Sequence, residues 1–172
     1  MKTIASSELI INSDGSIFHL HLKPSELADK VILVGDPDRV HLIARYFENV
    51  ECEVANREFK TITGTFQGKR ISVISTGIGC DNIDIVMNEI DALANIDFET
   101  RTIKHQLKSL DIVRIGTCGG LQHHCPVGSF IASEIHLESS PYRCGSIGKR
   151  GRCSCSSSKY GAFGCRNPNV GH

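Results

Sequence analysis

The sequence predicts an α/β fold, with helices flanking an open sheet that contains parallel strands. Two runs of β-branched residues carry this prediction. Residues 31–34 end in Gly35-Asp-Pro37, and residues 111–115 end in a glycine-rich segment at 116–120. Helical patterns lie between the two runs. Because an open α/β sheet places ligands beyond the carboxyl ends of its strands, the two strand-to-glycine junctions indicate where a site would lie.

A helix is predicted directly after the first junction. Asp36 can cap its N-terminus, and Pro37 suits its first turn, where the missing N–H of proline would have no helical partner anyway. Apolar residues then recur at the spacing of one helix face. They are Val40, Ile43, Ala44 and Phe47.

The middle of the chain predicts a hairpin and a second helix. Residues 59–66 and 70–76 flank Gln67-Gly68, a turn in which the glycine supplies a positive φ. From Asp81 a second helical pattern runs on and fades in the polar stretch 97–108. Residues 127–132 predict one further strand.

Composition and charge exclude several classes of protein. The chain has 172 residues with 19 basic and 19 acidic side chains, so nothing in its charge favours a nucleic acid or an anionic membrane as partner. We find no apolar run of membrane-spanning length and no signal peptide at the N-terminus. We therefore expect a cytoplasmic protein whose eight cysteines are free thiols.

The last 34 residues differ in composition from the rest. Residues 139–172 hold six basic and no acidic side chains, with 7 Ser, 6 Gly and 4 Cys. So few aliphatic residues would bury too little surface to offset the cost of ordering the segment. We expect one α/β domain over residues 1–138 and a disordered tail over 139–172.

Two arginines stand where an anion could bind. The segment Gly35-Asp-Pro-Asp-Arg39 combines backbone N–H groups at a helix N-terminus with a guanidinium that matches phosphate oxygens. A capped turn with a surface arginine is the alternative. Arg114 lies within an apolar strand, where an unpaired charge would be costly, so it needs a partner. That partner is either a ligand or a protein carboxylate.

Five motifs, taken together and in order, resemble the uridine phosphorylase branch of the nucleoside phosphorylases. The resemblance covers about residues 18–134. The motifs are Phe18-His-Leu-His-Leu22, Gly35-Asp-Pro-Asp-Arg39, Asn56-Arg-Glu-Phe59, Ser75-Thr-Gly-Ile-Gly79 and Arg114-Ile-Gly-Thr-Cys-Gly119. The fold it implies is the N-terminal part of that family's α/β sheet, without the C-terminal half.

The resemblance assigns roles to particular residues. It implies that inorganic phosphate, the co-substrate, is bound by Gly35, Arg39, Arg57, Arg114 and Thr117. Arg114 and Thr117 are the residues that it places in catalysis, and Arg57 is expected to enter the site of a neighbouring subunit. His19 is expected to contact the ribose 5′-hydroxyl across the same dimer, while Cys118 and Gly119 line the nucleoside pocket.

The resemblance also implies what accompanies the substrates. Glu58, Ile78 and Asn82 fall where some members hold a monovalent cation between subunits, although Asn82 replaces the serine found there. No other cofactor is implied. Because His19 and Arg57 would serve a neighbour's site, we expect a homo-oligomer built from dimers that share active sites.

The implied activity is phosphorolysis of uridine or a related nucleoside to the free base and ribose 1-phosphate. Two alternatives stay open. Thr117-Cys-Gly119 is nearer to the Ser-Cys-Gly of some purine-type members. In addition, residues 135–172 contain no match for the Gln/Arg pair that reads the pyrimidine or for the Glu and Met that grip the ribose. A catalytically inactive chain that at most binds phosphate or associates with family subunits is therefore the second alternative.

Overall fold

A computed structural model describes residues 3–118 and 126–132 of the chain. The chain divides into two compact units, residues 1–116 and residues 117–172. The tail and the expected domain boundary at residue 138 lie outside the described residues. No helix in the described part is long and apolar enough to cross a membrane.

The first unit is built on a five-stranded mixed sheet, which confirms the predicted α/β class. The sheet has the order β2-β3-β4-β1-β7, in which β4, β1 and β7 are parallel, whereas β2, β3 and β4 are antiparallel neighbours. A separate two-stranded sheet pairs β5 with β6. The strands are β1 (Lys30–Val34), β2 (Asn49–Asn56), β3 (Phe59–Phe66), β4 (Lys69–Ser75), β5 (Ile96–Asp97), β6 (Thr102–Ile103) and β7 (Asp111–Ile115).

Helix α1 (Pro37–Ala44) begins where the sequence predicts. Asp36 is its N-cap, and its carboxylate accepts a hydrogen bond from the backbone N–H of Asp38 at 2.9 Å. The predicted apolar face packs on the sheet and shields one core cluster from water. That cluster contains Val34, Val40, Ala44, Ile62 and Val73, with Ile43 and Phe47 packed against it.

The hairpin and the second helix also match the prediction. In the turn between β3 and β4, both Gln67 (φ 48°) and Gly68 (φ 69°) adopt positive φ, which suits the right-handed twist of the flanking strands. Helix α2 (Cys80–Asn95) buries one side of its second half. Its buried residues include one carboxylate, that of Glu89.

The sequence pattern did not predict two elements, strand β2 and the hairpin of β5 and β6. Strand β2 lies at the edge of the sheet, where five of its eight residues are exposed, so it lacks the apolar run of a buried strand. The register of β2 on β3 shifts between Val50 and Cys52, which interrupts its alternation. The short hairpin of β5 and β6 has only two residues in each strand, too few for a period to show.

The strand predicted for residues 127–132 is wrong. Residues 127–128 form a turn, closed by a hydrogen bond from the Ser129 N–H to the Pro126 carbonyl at 3.1 Å. Gly128 has a φ of 92°, a conformation that breaks an extended strand. Val127 and Phe130 are fully exposed, so the apolar residues that suggested a strand have no partner in the part of the chain described.

Candidate functional site

Three parallel strands end side by side in glycine turns. Val34 lies opposite Ser75 of β4 and opposite Ile115 of β7, and the Thr76 N–H donates to the Val34 carbonyl at 2.8 Å. Gly35 and Gly116 follow β1 and β7 directly, and Gly77 comes two residues after β4. We call this the glycine edge. Because Gly35 and Gly116 carry no side chain, backbone groups can be approached by a ligand here, whereas Gly77 is packed against Glu58 and Asn82.

Arg114 folds back over this edge. Its Nη2 lies 3.9 Å from the position that a Cβ on Gly35 would occupy, and its Nη1 lies 2.7 Å from the corresponding position on Gly116. The guanidinium therefore lies between the turns after β1 and β7. A side chain at residue 116 would displace it.

The environment of Arg114 differs from the one inferred from the sequence. We expected an apolar strand to bury it and force it to take a partner, but β7 is the edge strand among the residues described, and both Arg114 and Val113 are exposed. No carboxylate within residues 3–118 and 126–132 pairs with Arg114. Because solvent already stabilises the charge of Arg114, the fold does not require a protein carboxylate as its partner. The guanidinium is therefore available to bind an anion.

Arg39 occupies the first turn of α1, next to Gly35 along the chain. It is half-buried, and its side chain makes no hydrogen bond or ion pair with any of the residues described. The capped turn that was the alternative interpretation is present, because Asp36 caps the helix. A cap satisfies one N–H and leaves the guanidinium unoccupied, so the two interpretations are compatible.

Arg57 is held at the tip of the turn between β2 and β3. Asn56 pairs with Phe59, which leaves Arg57 and Glu58 as a two-residue loop. Arg57 has a φ of 55°, a conformation that non-glycine residues seldom adopt. Ser75 anchors the loop by donating from Oγ to the Glu58 carbonyl at 2.6 Å and accepting from the Lys60 N–H at 2.7 Å. The exposed Arg57 side chain thus projects from a braced turn.

His19 is held from two sides by residues that the sequence analysis did not select. Its Nδ1 lies 2.7 Å from Glu89 Oε1, and its backbone N–H donates to the same carboxylate at 3.0 Å. Asn56 Nδ2 donates to the His19 carbonyl at 2.8 Å. Glu89 could have been noticed as an acidic residue within the apolar pattern that includes Ile90 and Leu93, where a charge needs a partner.

Glu58 and Ile78 lie in hydrogen-bond contact with Asn82, and the cation role that the resemblance gives the three residues stays a prediction. Asn82 Nδ2 donates to Glu58 Oε1 at 3.1 Å and to the Ile78 carbonyl at 3.3 Å. The two oxygens that would coordinate a cation thus already accept hydrogen bonds from an amide. Turning the amide round would place its oxygen against a carboxylate, so nitrogen must face these acceptors. Serine has no such –NH2 group.

The remaining predicted site residues belong to the second unit of the chain. Thr117 and Cys118 are exposed, and Gly119 lies outside the described residues. The roles that the resemblance gives these three residues stay predictions. Cys52, Cys80 and Cys118 are free cysteines, as expected for the thiols among residues 3–118.

A small cavity in the first unit is unrelated to these residues. It has a volume of about 60 Å³ and is lined by Leu27, Leu93, Lys104 and Lys108 among others. It contains none of the predicted site residues, and Lys104 is already bonded to the Ala94 carbonyl. The glycine edge, an open surface, therefore remains the better candidate.

Comparison with known proteins agrees with the family resemblance found in the sequence. The sequence profile of the phosphorylase superfamily matches residues 29–159. The DeoD-type purine nucleoside phosphorylase of Bacillus velezensis is 34% identical over 114 residues, 66% of this chain and 44% of that protein. The corresponding protein of Alkaliphilus metalliredigens is 37% identical over 105 residues, 60% of this chain and 40% of that protein.

Solved structures are similar over the same part of the chain. A nucleoside phosphorylase of Trypanosoma brucei, described as showing uridine phosphorylase activity, superposes with a TM-score of 0.63 at 40% identity. It covers 69% of this chain, which spans 41% of that protein. The uridine phosphorylase of Vibrio fischeri superposes with a TM-score of 0.55 at 27% identity, over 67% of this chain and 43% of its own.

These relatives share the region that carries the sheet and its glycine edge, and this chain spans less than half of their length. The match to the family profile includes most of the chain and all three parallel strands. The chain therefore belongs to the phosphorylase superfamily, which here includes relatives named as purine nucleoside phosphorylases and as uridine phosphorylases.

Proposed function

We propose that this chain takes part in the phosphorolysis of a nucleoside and that uridine is its substrate. One observation carries the proposal. Arg114 and Arg39 lie at or next to the glycine edge, and neither guanidinium is paired with a protein group within residues 3–118 and 126–132. Free guanidinium groups beside open backbone turns suit a phosphate ion.

In the proposed reaction, a phosphate oxygen forms a bond to the anomeric carbon of the ribose while the bond from that carbon to the base nitrogen breaks. The electron pair leaves with the base, which then takes a proton. Arg114 and Arg39 orient the phosphate beneath the sugar, and the phosphate charge favours the cationic ribose of the transition state. A hydrolytic reaction would not need arginines gathered around an anion.

Two features favour uridine over a purine nucleoside. Arg57-Glu-Phe59 and Ser75-Thr-Gly-Ile-Gly79 resemble the uridine-type motifs. The 40% identity to the Trypanosoma brucei protein, described as having uridine phosphorylase activity, supports the same choice. The purine-type relatives and Thr117-Cys-Gly119 support the other.

A second candidate function is phosphate binding without turnover. It is favoured by the distribution of the expected site residues. Gly35, Arg39 and Arg114 are expected to bind phosphate, whereas residues 135–172 match none of the residues expected to hold the base. A nucleoside held weakly would lose the advantage of orientation, which is worth on the order of 7–11 kcal/mol in favourable cases. We also propose that copies of the chain associate, since Arg57 and His19 are expected to serve a neighbour's site.

The test measures binding and turnover on the same purified chain. Titration calorimetry with phosphate, against chloride at equal ionic strength, reports the phosphate site. Loss of uridine with and without phosphate, compared with inosine, reports the reaction. Phosphate-dependent loss of uridine faster than that of inosine supports the proposal, and faster loss of inosine supports the purine branch.

Binding without turnover supports the second candidate function. Absence of phosphate binding, or nucleoside loss that does not need phosphate, would overturn both.

A further inference from the structure

Glu89 is a buried carboxylate that the proposed reaction does not use. Its side chain is 12% exposed, and it lies on α2 within an apolar surface that includes Ile90 and Leu93. Burying a carboxylate is costly unless hydrogen bonds and opposite charge replace the lost water. The groups that stabilise the buried charge of Glu89 therefore indicate its role.

Among the residues described, Glu89 accepts side-chain hydrogen bonds from one short segment, His19 and Leu20. The Leu20 N–H donates to Oε2 at 2.8 Å, and the His19 N–H donates to Oε1 at 3.0 Å and to Oε2 at 3.2 Å. The His19 ring completes the set, with Nδ1 2.7 Å from Oε1. One carboxylate therefore fixes both the backbone and the ring at residue 19.

This contact decides which ring nitrogen carries the proton. A carboxylate only accepts hydrogen bonds, so Nδ1 must be the donor at 2.7 Å. In the neutral ring Nε2 is then an acceptor, and no group among residues 3–118 and 126–132 bonds to it. The ring also meets the edges of Phe18 and Phe59, at centroid distances of 4.7 Å and 6.1 Å, which restricts its rotation.

The same segment is tied to the turn that carries Arg57. Asn56 precedes Arg57, and its Nδ2 donates to the His19 carbonyl at 2.8 Å. Phe59, which is 2% exposed, follows that turn and packs near the His19 ring. The segments that carry His19 and Arg57 are therefore held together by this hydrogen bond and this ring contact.

We propose that Glu89 is the positioning residue for His19, holding its ring with Nδ1 protonated and Nε2 ready to accept a hydrogen bond from a sugar hydroxyl. The identity of that hydroxyl, the ribose 5′-hydroxyl, rests on the proposed function. Glu89 acts through His19 and does not itself touch the nucleoside.

The test uses nitrogen NMR on the full chain with labelled histidine, where protonated and unprotonated ring nitrogens have distinct shifts. His19→Gln identifies the resonances of His19, and His21→Gln serves as the matched control two residues away. We expect Nδ1 to be protonated in the natural chain. We expect Glu89→Gln to abolish that preference, because the amide removes the charge that holds the proton, while Glu99→Gln at an exposed position leaves it unchanged.

Two added nucleosides then probe the contact. Uridine should shift the Nε2 resonance, and 5′-deoxyuridine should shift it less. A natural chain with His19 protonated only at Nε2 would overturn the proposal even if Glu89→Gln fails to fold. So would a Glu89→Gln chain that keeps both the tautomer and the uridine response. Phosphate titration of the same samples tests the proposed function separately, because it depends on Arg114 and not on His19.

Discussion

Basic side chains at the two ends of the parallel strands differ in whether they are paired with protein groups. At the amino end, Lys30 Nζ pairs with Asp111 Oδ2 at 2.7 Å, and Arg70 Nε pairs with Glu51 at 2.6 Å. At the carboxyl end, Arg114 and Arg39 have no charged partner among the residues described. Basic residues at the amino end are therefore paired within the fold, and those at the carboxyl end have the free guanidinium groups on which the proposed phosphate site rests.

The contrast extends to the way the arginines are bonded. Arg70 reaches back from β4 and donates to the carbonyls of Leu27 and Ser25 at 2.9 Å and 2.8 Å. All three guanidinium nitrogens of Arg70 donate hydrogen bonds within the chain, so an anion would have to compete with these bonds. Arg114 forms no such bonds with residues 3–118 and 126–132, so under the proposed function it would gain charge-assisted bonds to phosphate without losing others. The difference teaches that pairing within the fold marks Arg70 as a structural residue and leaves Arg114 as a candidate for binding an anion.

The largest expected effect is on phosphate affinity. Arg114→Ala should weaken phosphate binding by roughly 10- to 100-fold, since a hydrogen bond to a charged group is worth about 1.5–3 kcal/mol. The free energy of unfolding should stay within about 0.5 kcal/mol of that of the natural chain. The reason is that the exposed Arg114 side chain bonds to no group among the residues described. Calorimetric titration with phosphate checks the first point. Unchanged affinity would show that the carboxyl end is not the anion site.

The opposite outcome is expected at the amino end. Arg70→Ala should cost about 1–2 kcal/mol of unfolding free energy, because it leaves the carbonyls of Leu27 and Ser25 without their donor, with solvent replacing part of the loss. Phosphate affinity should not change. Urea denaturation measures the first, with Arg45→Ala, an exposed arginine that contacts Tyr46, as the matched control. Equal stability of the two variants would erase the contrast between the two ends.

A smaller effect should follow from filling the glycine edge. Gly116→Ala places a methyl 2.7 Å from Arg114 Nη1, so the flexible guanidinium must move while the backbone stays. We expect phosphate affinity to fall up to about tenfold, less than in Arg114→Ala, because the charge remains nearby. Gly68→Ala is the control, with no atom within 4 Å of its added methyl, and its positive φ should affect stability only. A drop in phosphate affinity for Gly68→Ala would contradict the assignment.

The smallest effect concerns the ion pair at the amino end. Lys30 lowers the pKa of Asp111 below its ordinary value of 3.8, through a hydrogen bond and its charge. A lowered pKa in the folded state adds stability above that ordinary value, and this stability is lost as the pH falls through the folded pKa. Asp111→Asn should therefore lower the thermal midpoint slightly at pH 7 and by less as the pH falls below 3.8. A difference that grows on acidification would contradict this sign.

Much of the fold around the glycine edge could be predicted from the sequence because its parts are local. The junctions after residues 34 and 115, the cap at Asp36 and the turn at Gly68 each depend on a few consecutive residues whose preferences agree with the fold. Where the tertiary surroundings decide, the prediction failed. Arg114 was expected to be buried, but the place of β7 at the end of the sheet leaves it exposed.

The sequence alone determined the α/β class, the main helices and strands and the superfamily, since periodicity, caps and ordered motifs are written in neighbouring residues. Only the tertiary structure decided which charges are paired. It joined Glu89 to His19 over 70 positions and placed the Asn82 amide between Glu58 and Ile78. Contacts between residues distant along the chain arise when helices and strands pack, and no local pattern encodes them.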